Sequence, residues 1–309
     1  MIKTVDALGL GIAPVDFFVT MAAFPPAGKK IDGIPQSSAI TGGGPVPNSL
    51  CTFSKLGGQA SLIAPFGDDE WGRFARKELD KFGVHHNLCV SRRNCSSARA
   101  FAWIEQKSGN RTIVLDMPNR IFIHPRDIKL SHLPIPKMIH IDGRHLKAAV
   151  KLARWGKQVG ARIMLDIGSV RNCVDELFPY LDFLICADDY ATHYFKTRSI
   201  NKAAAGFKKA GIPETVVTSG TNGSFGIDSD NNQLRQRAFK IKTIDTTGAG
   251  DAFHGAYLFG LLKGWDLDKK MKFASAAAAQ KCLKPGARAG IPSYRQIMAF
   301  IKRHRKYYD

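Results

Sequence analysis

The sequence is poor in acids. Against 45 Lys and Arg stand only 26 Asp and Glu, a formal net charge of +19 over 309 residues. That imbalance raises the potential around any cleft and favours anionic partners: phosphates, nucleic acid or acidic lipid. Cysteine is also scarce. The six at positions 51, 89, 95, 173, 186 and 282 form no C-x-x-C pair and no regular spacing; this argues against a disulfide framework or a cysteine zinc site and fits reduced cytosolic thiols. Long apolar runs are missing. The longest uncharged one, residues 252–262, contains His254 and two glycines and falls short of the ~20 residues that span a bilayer. Asp6 interrupts the apolar N-terminus and no small-residue cleavage site follows, so a first strand is expected there rather than an export signal. No internal repeat, low-complexity tract or linker stands out. One domain over residues 1–309, in the cytoplasm, is the expectation.

What is present reads as globular: 44% hydrophobic, 23% charged and 10% aromatic, far from disordered or collagenous compositions. Short β-branched runs at 60–64, 138–141, 162–166, 183–186 and 215–218 alternate with amphipathic stretches such as 70–82 and 146–159. This βαβ rhythm predicts an α/β fold, a Rossmann-like αβα sandwich around a mostly parallel sheet, with ligands at the carboxyl ends of the strands. Residues 17–40 and 98–115 break the rhythm and read as strands and turns, with 107–110 a hairpin tip. They are expected to form a small β-sheet lid over the strand ends. From Asp251 onward the pattern is helical, and 274–279 is a small-residue helix that permits close packing.

The sharpest motif is Ile244-Asp245-Thr246-Thr247-Gly248-Ala249-Gly250-Asp251, a small-residue turn running into the apolar helix that ends at Leu262. Gly248 and Gly250 let the backbone approach an anion, and the amides opening the helix carry the positive end of its dipole. Asp251 stands where a general base would take a proton from an attacking hydroxyl. An N-cap with a tight turn fits the same residues. Three more glycine clusters share the chain: Thr41-Gly42-Gly43-Gly44-Pro45-Val46-Pro47-Asn48 ahead of a helix, Thr218-Ser219-Gly220-Thr221-Asn222-Gly223 after a strand, and Pro285-Gly286-Ala287-Arg288-Ala289-Gly290. Each alone reads more readily as a loop than as a site.

The order of these pieces resembles the ribokinase (PfkB) family of carbohydrate kinases over essentially the whole chain. Gly43-Gly44 with Asn48, then Gly67-Asp68-Asp69 and Gly72, resemble the family's first signature. Residues 245–251 resemble its second, D-T-x-G-A-G-D, without a mismatch. The resemblance implies ATP-dependent phosphorylation of a sugar hydroxyl, with Asp251 as catalytic base and Gly248, Ala249 and Gly250 as the anion hole. It implies sugar contacts at Asp16, Gly43, Gly44 and Asn48, and an adenine and ribose region at Thr218, Gly220, Gly223, Gly286 and Gly290. Asp245 and Thr247 match positions near a monovalent-cation (K⁺) site of many relatives. The lid is implied as the clasp of a homodimer. One departure matters: where many members carry N-x-x-E to organise Mg²⁺, this chain has Ala187-Asp188-Asp189-Tyr190. Asp188 or Asp189 acting on the metal through water, and two solvated acids capping a helix, are both open readings.

For the acceptor, Met138-Ile139-His140-Ile141-Asp142-Gly143-Arg144-His145 and Ser108-Gly109-Asn110-Arg111 are most similar to the ketohexokinase and sulfofructose kinase branch. A lid lysine in Gly28-Lys29-Lys30, with Arg144, could pair with an anionic sugar; a solvated lid charge is the alternative for any one lysine. A hexose-like acceptor of ketose or sugar-acid type is expected, with a ribose or nucleoside kinase as the second reading within the family.

Other chemistries lack their residues. A dinucleotide fingerprint begun by Gly9-Leu10-Gly11 would need glycine where Pro14 stands. Neither Gly28-Lys29 nor Gly156-Lys157 is followed by Ser or Thr, which removes a Walker-type phosphate loop. Ser224 lacks the flanking glycine of a hydrolase elbow, Asn222 standing there instead. A basic nucleic-acid-binding protein is the rival from another class, supported by the charge and by the tail from Lys302. His254 lies one helical turn after Asp251 and is assigned no role.

Overall fold

The computed structural model describes residues 4–24, 27–28, 37–105, 111–171 and 173–304. Lys29 and the hairpin tip 107–110 lie outside them. The first half contains β1 (Thr4–Leu10), β2 (Val15–Met21), β3 (Ser37–Gly42), α1 (Pro45–Lys55), β4 (Ala60–Ile63), β5 (Pro65–Gly67), α2 (Glu70–Asp80), β6 (Val90–Arg92), β7 (Arg99–Glu105) and β8 (Arg111–Asp116). The second half alternates more regularly. It contains β9 (Ile135–Ile141), α3 (Leu146–Gln158), β10 (Arg162–Ile167), β11 (Phe183–Ala187), α4 (Asp188–Tyr194), α5 (Ile200–Lys209), β12 (Glu214–Thr218), β13 (Ser224–Ile227) and β14 (Gln233–Gln236). Three helices close the chain: α6 (Ala249–Leu262), α7 (Leu267–Lys281) and α8 (Tyr294–Arg303).

Among these residues eight strands make one sheet, ordered β14-β13-β12-β11-β10-β9-β1-β4. The six from β12 to β4 run parallel, and β13 and β14 turn back antiparallel. The apolar runs of β9 to β12 are buried along both faces, as a helix-covered parallel sheet demands. Neighbouring residues of one strand feed different cores. Met138, Met164, Ile185 and Val216 pack with α1, α6 and α7, whereas Ile139, Ile163, Leu184 and Val217 pack with α3 and α5. Each such buried side chain contributes about 1.5–3 kcal/mol of hydrophobic stabilisation.

The second sheet is the expected lid, ordered β3-β2-β7-β8. Its hairpins pair antiparallel, while β2 and β7 pair parallel, Phe17 beside Phe101. Pro14 separates β1 from β2, so the chain leaves the main sheet at its carboxyl edge and enters the lid at once. The two sheets therefore meet where the site was expected. One boundary differs from the sequence reading: the helix after the triple glycine begins at Pro45, because proline suits the first helical turn. Asn48 thus belongs to the helix rather than to the preceding loop, and it is buried.

Candidate active site

Asp251 is the third residue of α6, which carries hydrophobic residues all round and is buried between the sheet and α7. Gly248 caps this helix at φ 77°, and a Cβ on it would come within 2.9 Å of the Ala287 carbonyl. Glycine is needed there for both conformation and space. The turn is stitched by Asp245, whose Oδ1 accepts from Thr247 N (2.8 Å) and whose Oδ2 accepts from Gly286 N (2.7 Å). Thr247 Oγ1 is buried without a hydrogen-bond partner. Within the expected anion hole one amide is already engaged: Ala249 N–H donates back to Thr246 O at 3.1 Å. At Gly250 a Cβ would meet nothing within 4 Å, so the helix mouth is open at that residue.

A second group converges on the Asp251 carboxylate. Asn48 Nδ2 donates to Asp251 Oδ2 at 2.7 Å, and Asn48 Oδ1 accepts from Arg288 Nε at 2.7 Å. The two bonds fix which way the Asn48 amide faces. Arg288 Nη2 also donates to the Gly43 carbonyl at 3.3 Å. Gly43 lies so close to Asp16 that a Cβ there would fall 2.1 Å from the carboxylate. Burial pushes the Asp16 carboxyl up to about 7, against the pull of Arg288 and with the help of the Asp251 charge. Two carboxylates, with an asparagine that links Asp251 to one buried guanidinium, are thus gathered from β2, α1, α6 and the loop before α8.

Arg288 is the residue that sequence reasoning missed, since its loop was assigned to the nucleotide. The available signal was an arginine among small residues, Gly286-Ala287-Arg288-Ala289-Gly290, where no bulky neighbour holds it at the surface. Asp142 was missed as well. Its Oδ2 accepts from Ile12 N (3.4 Å) and its Oδ1 from Arg144 N (3.0 Å), while Arg171 binds its main-chain carbonyl. Arg144 is half-buried there, and burial together with the Arg171 charge lowers its guanidinium pKa. His254 is buried. It forms an ion pair with Asp166 at 2.8 Å; burial pulls the imidazole down, but the Asp166 carboxylate outweighs it and holds the pKa above the ordinary value. His140 beside them is pushed down by burial to about 4.

On the other side of the helix mouth lies a cleft of about 280 Å³, lined by Thr218, Gly220, Gly223, Phe239, Gly250 and Phe253 among others. Gly223, at φ 86°, leaves no room for a side chain, since a Cβ would fall 2.1 Å from Gln236 O. Gly286 and Gly290 do not line this cleft: the first donates to Asp245 and the second packs on the Lys281 main chain. Asp188 opens α4, its Oδ1 accepting from Asp189 N and its Oδ2 from Ser219 Oγ, next to the cleft wall. A larger hollow of about 450 Å³, walled by Asp80, Gly83, His85 and Asn87, shares no residue with either group.

Known proteins resemble the chain along nearly its whole length. The ribokinase of Haemophilus influenzae is 25% identical over 311 residues, covering 95% of this chain and 97% of the relative. The 5-dehydro-2-deoxygluconokinase of Shouchella clausii is 24% identical, covering 97% and 96%. Among solved structures, the Arabidopsis thaliana ribokinase complexed with ribose and ATP superposes with a TM-score of 0.80 at 22% identity, covering 97% of this chain and 99% of that one. The family model for pfkB carbohydrate kinases matches residues 15–293, and the chain belongs to that family of sugar kinases.

Proposed function

We propose that the protein transfers the γ-phosphoryl group of ATP to a hydroxyl of a hexose-like acceptor of ketose or sugar-acid type. The carrying observation is the position of the Asp251 carboxylate, tied to Asn48 on the acceptor side and opening a helix whose next-door Gly250 lines the open cleft. In this reading Asp16 and Asn48 grip acceptor hydroxyls, with Gly43 and Gly44 bringing the main chain against the sugar. Asp251 takes the proton from the attacking hydroxyl. Gly248 and Gly250 present the positive end of α6 to the charge that builds on the transferring group, while the Ala249 amide joins them only by leaving Thr246. Thr218, Gly220 and Gly223 bound the nucleotide.

Mg²⁺ fits the donor set as a metal that keeps most of its water, because Asp188, anchored through Ser219 beside the cleft, can act on it through water. When bound with ATP it neutralises phosphate charge. Arg144, with Lys29, supports an anionic acceptor, as does similarity to a relative whose name denotes a keto sugar acid. Ribose is the second reading, favoured by the relatives named ribokinase.

A substrate panel with ATP and Mg²⁺ tests the reading, run beside Asp251→Asn. Turnover on ketoses or sugar acids is expected, and the variant should keep its fold and lose about 10²–10⁴-fold in kcat, the usual worth of a positioned acid or base. Brisk turnover of ribose or adenosine alone would overturn the acceptor class. Near-normal kcat in the variant would remove Asp251 from the mechanism. Val114 and Ile40, exposed on the lid, support a homodimer clasped through that sheet.

A further inference from the structure

Lys281 is the last residue of α7, it is 0% exposed, and its Nζ donates to the Asp245 main-chain carbonyl at 2.9 Å. Lysine is almost never buried to this degree, because removing an ammonium from water is expensive. The surroundings indicate what the charge does. Ile244 N and Asp245 N both donate to the Cys282 carbonyl, at 2.9 and 3.2 Å, fastening the 244–248 turn to the end of α7. Gly286 N binds the Asp245 carboxylate, fastening the following loop to the same turn. Gly290 packs so tightly on the Lys281 main chain that a Cβ would fall 2.3 Å from its carbonyl. The amine therefore occupies the junction of two loops, under the turn that leads to Gly248 and Gly250.

A soluble monovalent cation, expected at Asp245 and Thr247 from the family resemblance, does not fit this junction. Both Asp245 carboxylate oxygens accept main-chain amides and its carbonyl accepts the ammonium. A second positive ion would sit beside the first in a low-dielectric interior, where like charges repel strongly. We propose that the Lys281 ammonium is a built-in replacement for that ion: it holds the Asp245 carbonyl and supplies a fixed positive charge beneath the phosphate-facing turn, so that the enzyme is indifferent to K⁺. A tethered cation is present at full occupancy in any salt. The proposal rests on the kinase reading above for its catalytic consequence and on the packing alone for its structural one.

The test compares KCl with choline chloride at equal ionic strength, by thermal unfolding of the protein without nucleotide and by turnover on the acceptor found in the panel. Wild type should have the same Tm and the same kcat in both salts. Lys281→Ala should lose stability and about tenfold or more of kcat in choline, and regain both in KCl or NH₄Cl as the free ion enters the vacated space. Two results would overturn the proposal: a wild-type Tm or kcat that rises several-fold or by several degrees with K⁺, or a Lys281→Ala protein that keeps wild-type values in choline. If Lys281→Ala fails to fold, the wild-type salt comparison still decides. Absence of acceptor-dependent ATP turnover in every salt would defeat the kinase reading and leave the thermal comparison to judge Lys281.

Discussion

Asp16 is only 9% exposed and titrates near 7 because burial disfavours its charge more than Arg288 favours it. Its folded pKa lies above the ordinary 3.8, so the folded state holds this proton more tightly than the unfolded chain does. The sign follows: the folded state is destabilised as pH rises from about 4 through about 7, and the penalty is fully present above that range. Asp16→Asn should therefore raise Tm at pH 8.5 while leaving it almost unchanged at pH 4, measured by thermal unfolding across a pH series. The same variant should raise the acceptor KM by about tenfold or more, since a neutral amide grips hydroxyls more weakly than a carboxylate. In wild type, kcat/KM for the acceptor should climb through pH 7 as the carboxylate forms. A Tm difference that is flat with pH would mean that Asp16 carries no desolvation penalty.

At the scale of elements, α6 is held in place by a buried polar knot. Lys270 Nζ on α7 donates to both Glu214 carboxylate oxygens on β12, at 2.6 and 2.7 Å, and Tyr257 OH on α6 donates to one of them. Burial, with the Glu214 charge, raises the Tyr257 pKa well above its ordinary range, so the phenol keeps the proton that it donates. Glu214→Ala would strand the Lys270 ammonium and is expected to cost about 3–5 kcal/mol, read as a lower urea midpoint. How far these elements can be read from sequence depends on whether the pattern is local. β9 to β12 are continuous apolar runs, and α6 follows a glycine-rich turn, so both are legible. The parallel pairing of β2 with β7 is not, because it joins segments some eighty residues apart and no local pattern carries its register. Lysines at 269, 270, 272 and 281 look alike in sequence, yet 270 and 281 are buried and the others are not. Only the partners Glu214 and Asp245, supplied by other elements, distinguish them.

At the scale of the molecule, the lid carries a cross-strand row of Ile40, Phe17, Phe101 and Val114. Phe17 stacks on Phe101 at 5.1 Å and meets Trp71 edge-on at 4.9 Å, whereas Ile40 and Val114 at the ends of the row are 49% and 52% exposed. A second copy covering those ends would remove apolar area from water. Sedimentation should find a dimer that Ile40→Asp with Val114→Asp converts to a folded monomer; a wild-type monomer at every concentration would overturn the clasp. The chain of contacts Asp251–Asn48–Arg288 joins residues 203 and 240 positions apart in sequence. During synthesis, which proceeds from the N-terminus, Asn48 emerges early and must wait for Arg288, which precedes only α8 among the described elements. A polypeptide grown past residue 251 but short of 288 thus holds Asp251 and Asn48 without the guanidinium that fixes how the Asn48 amide faces.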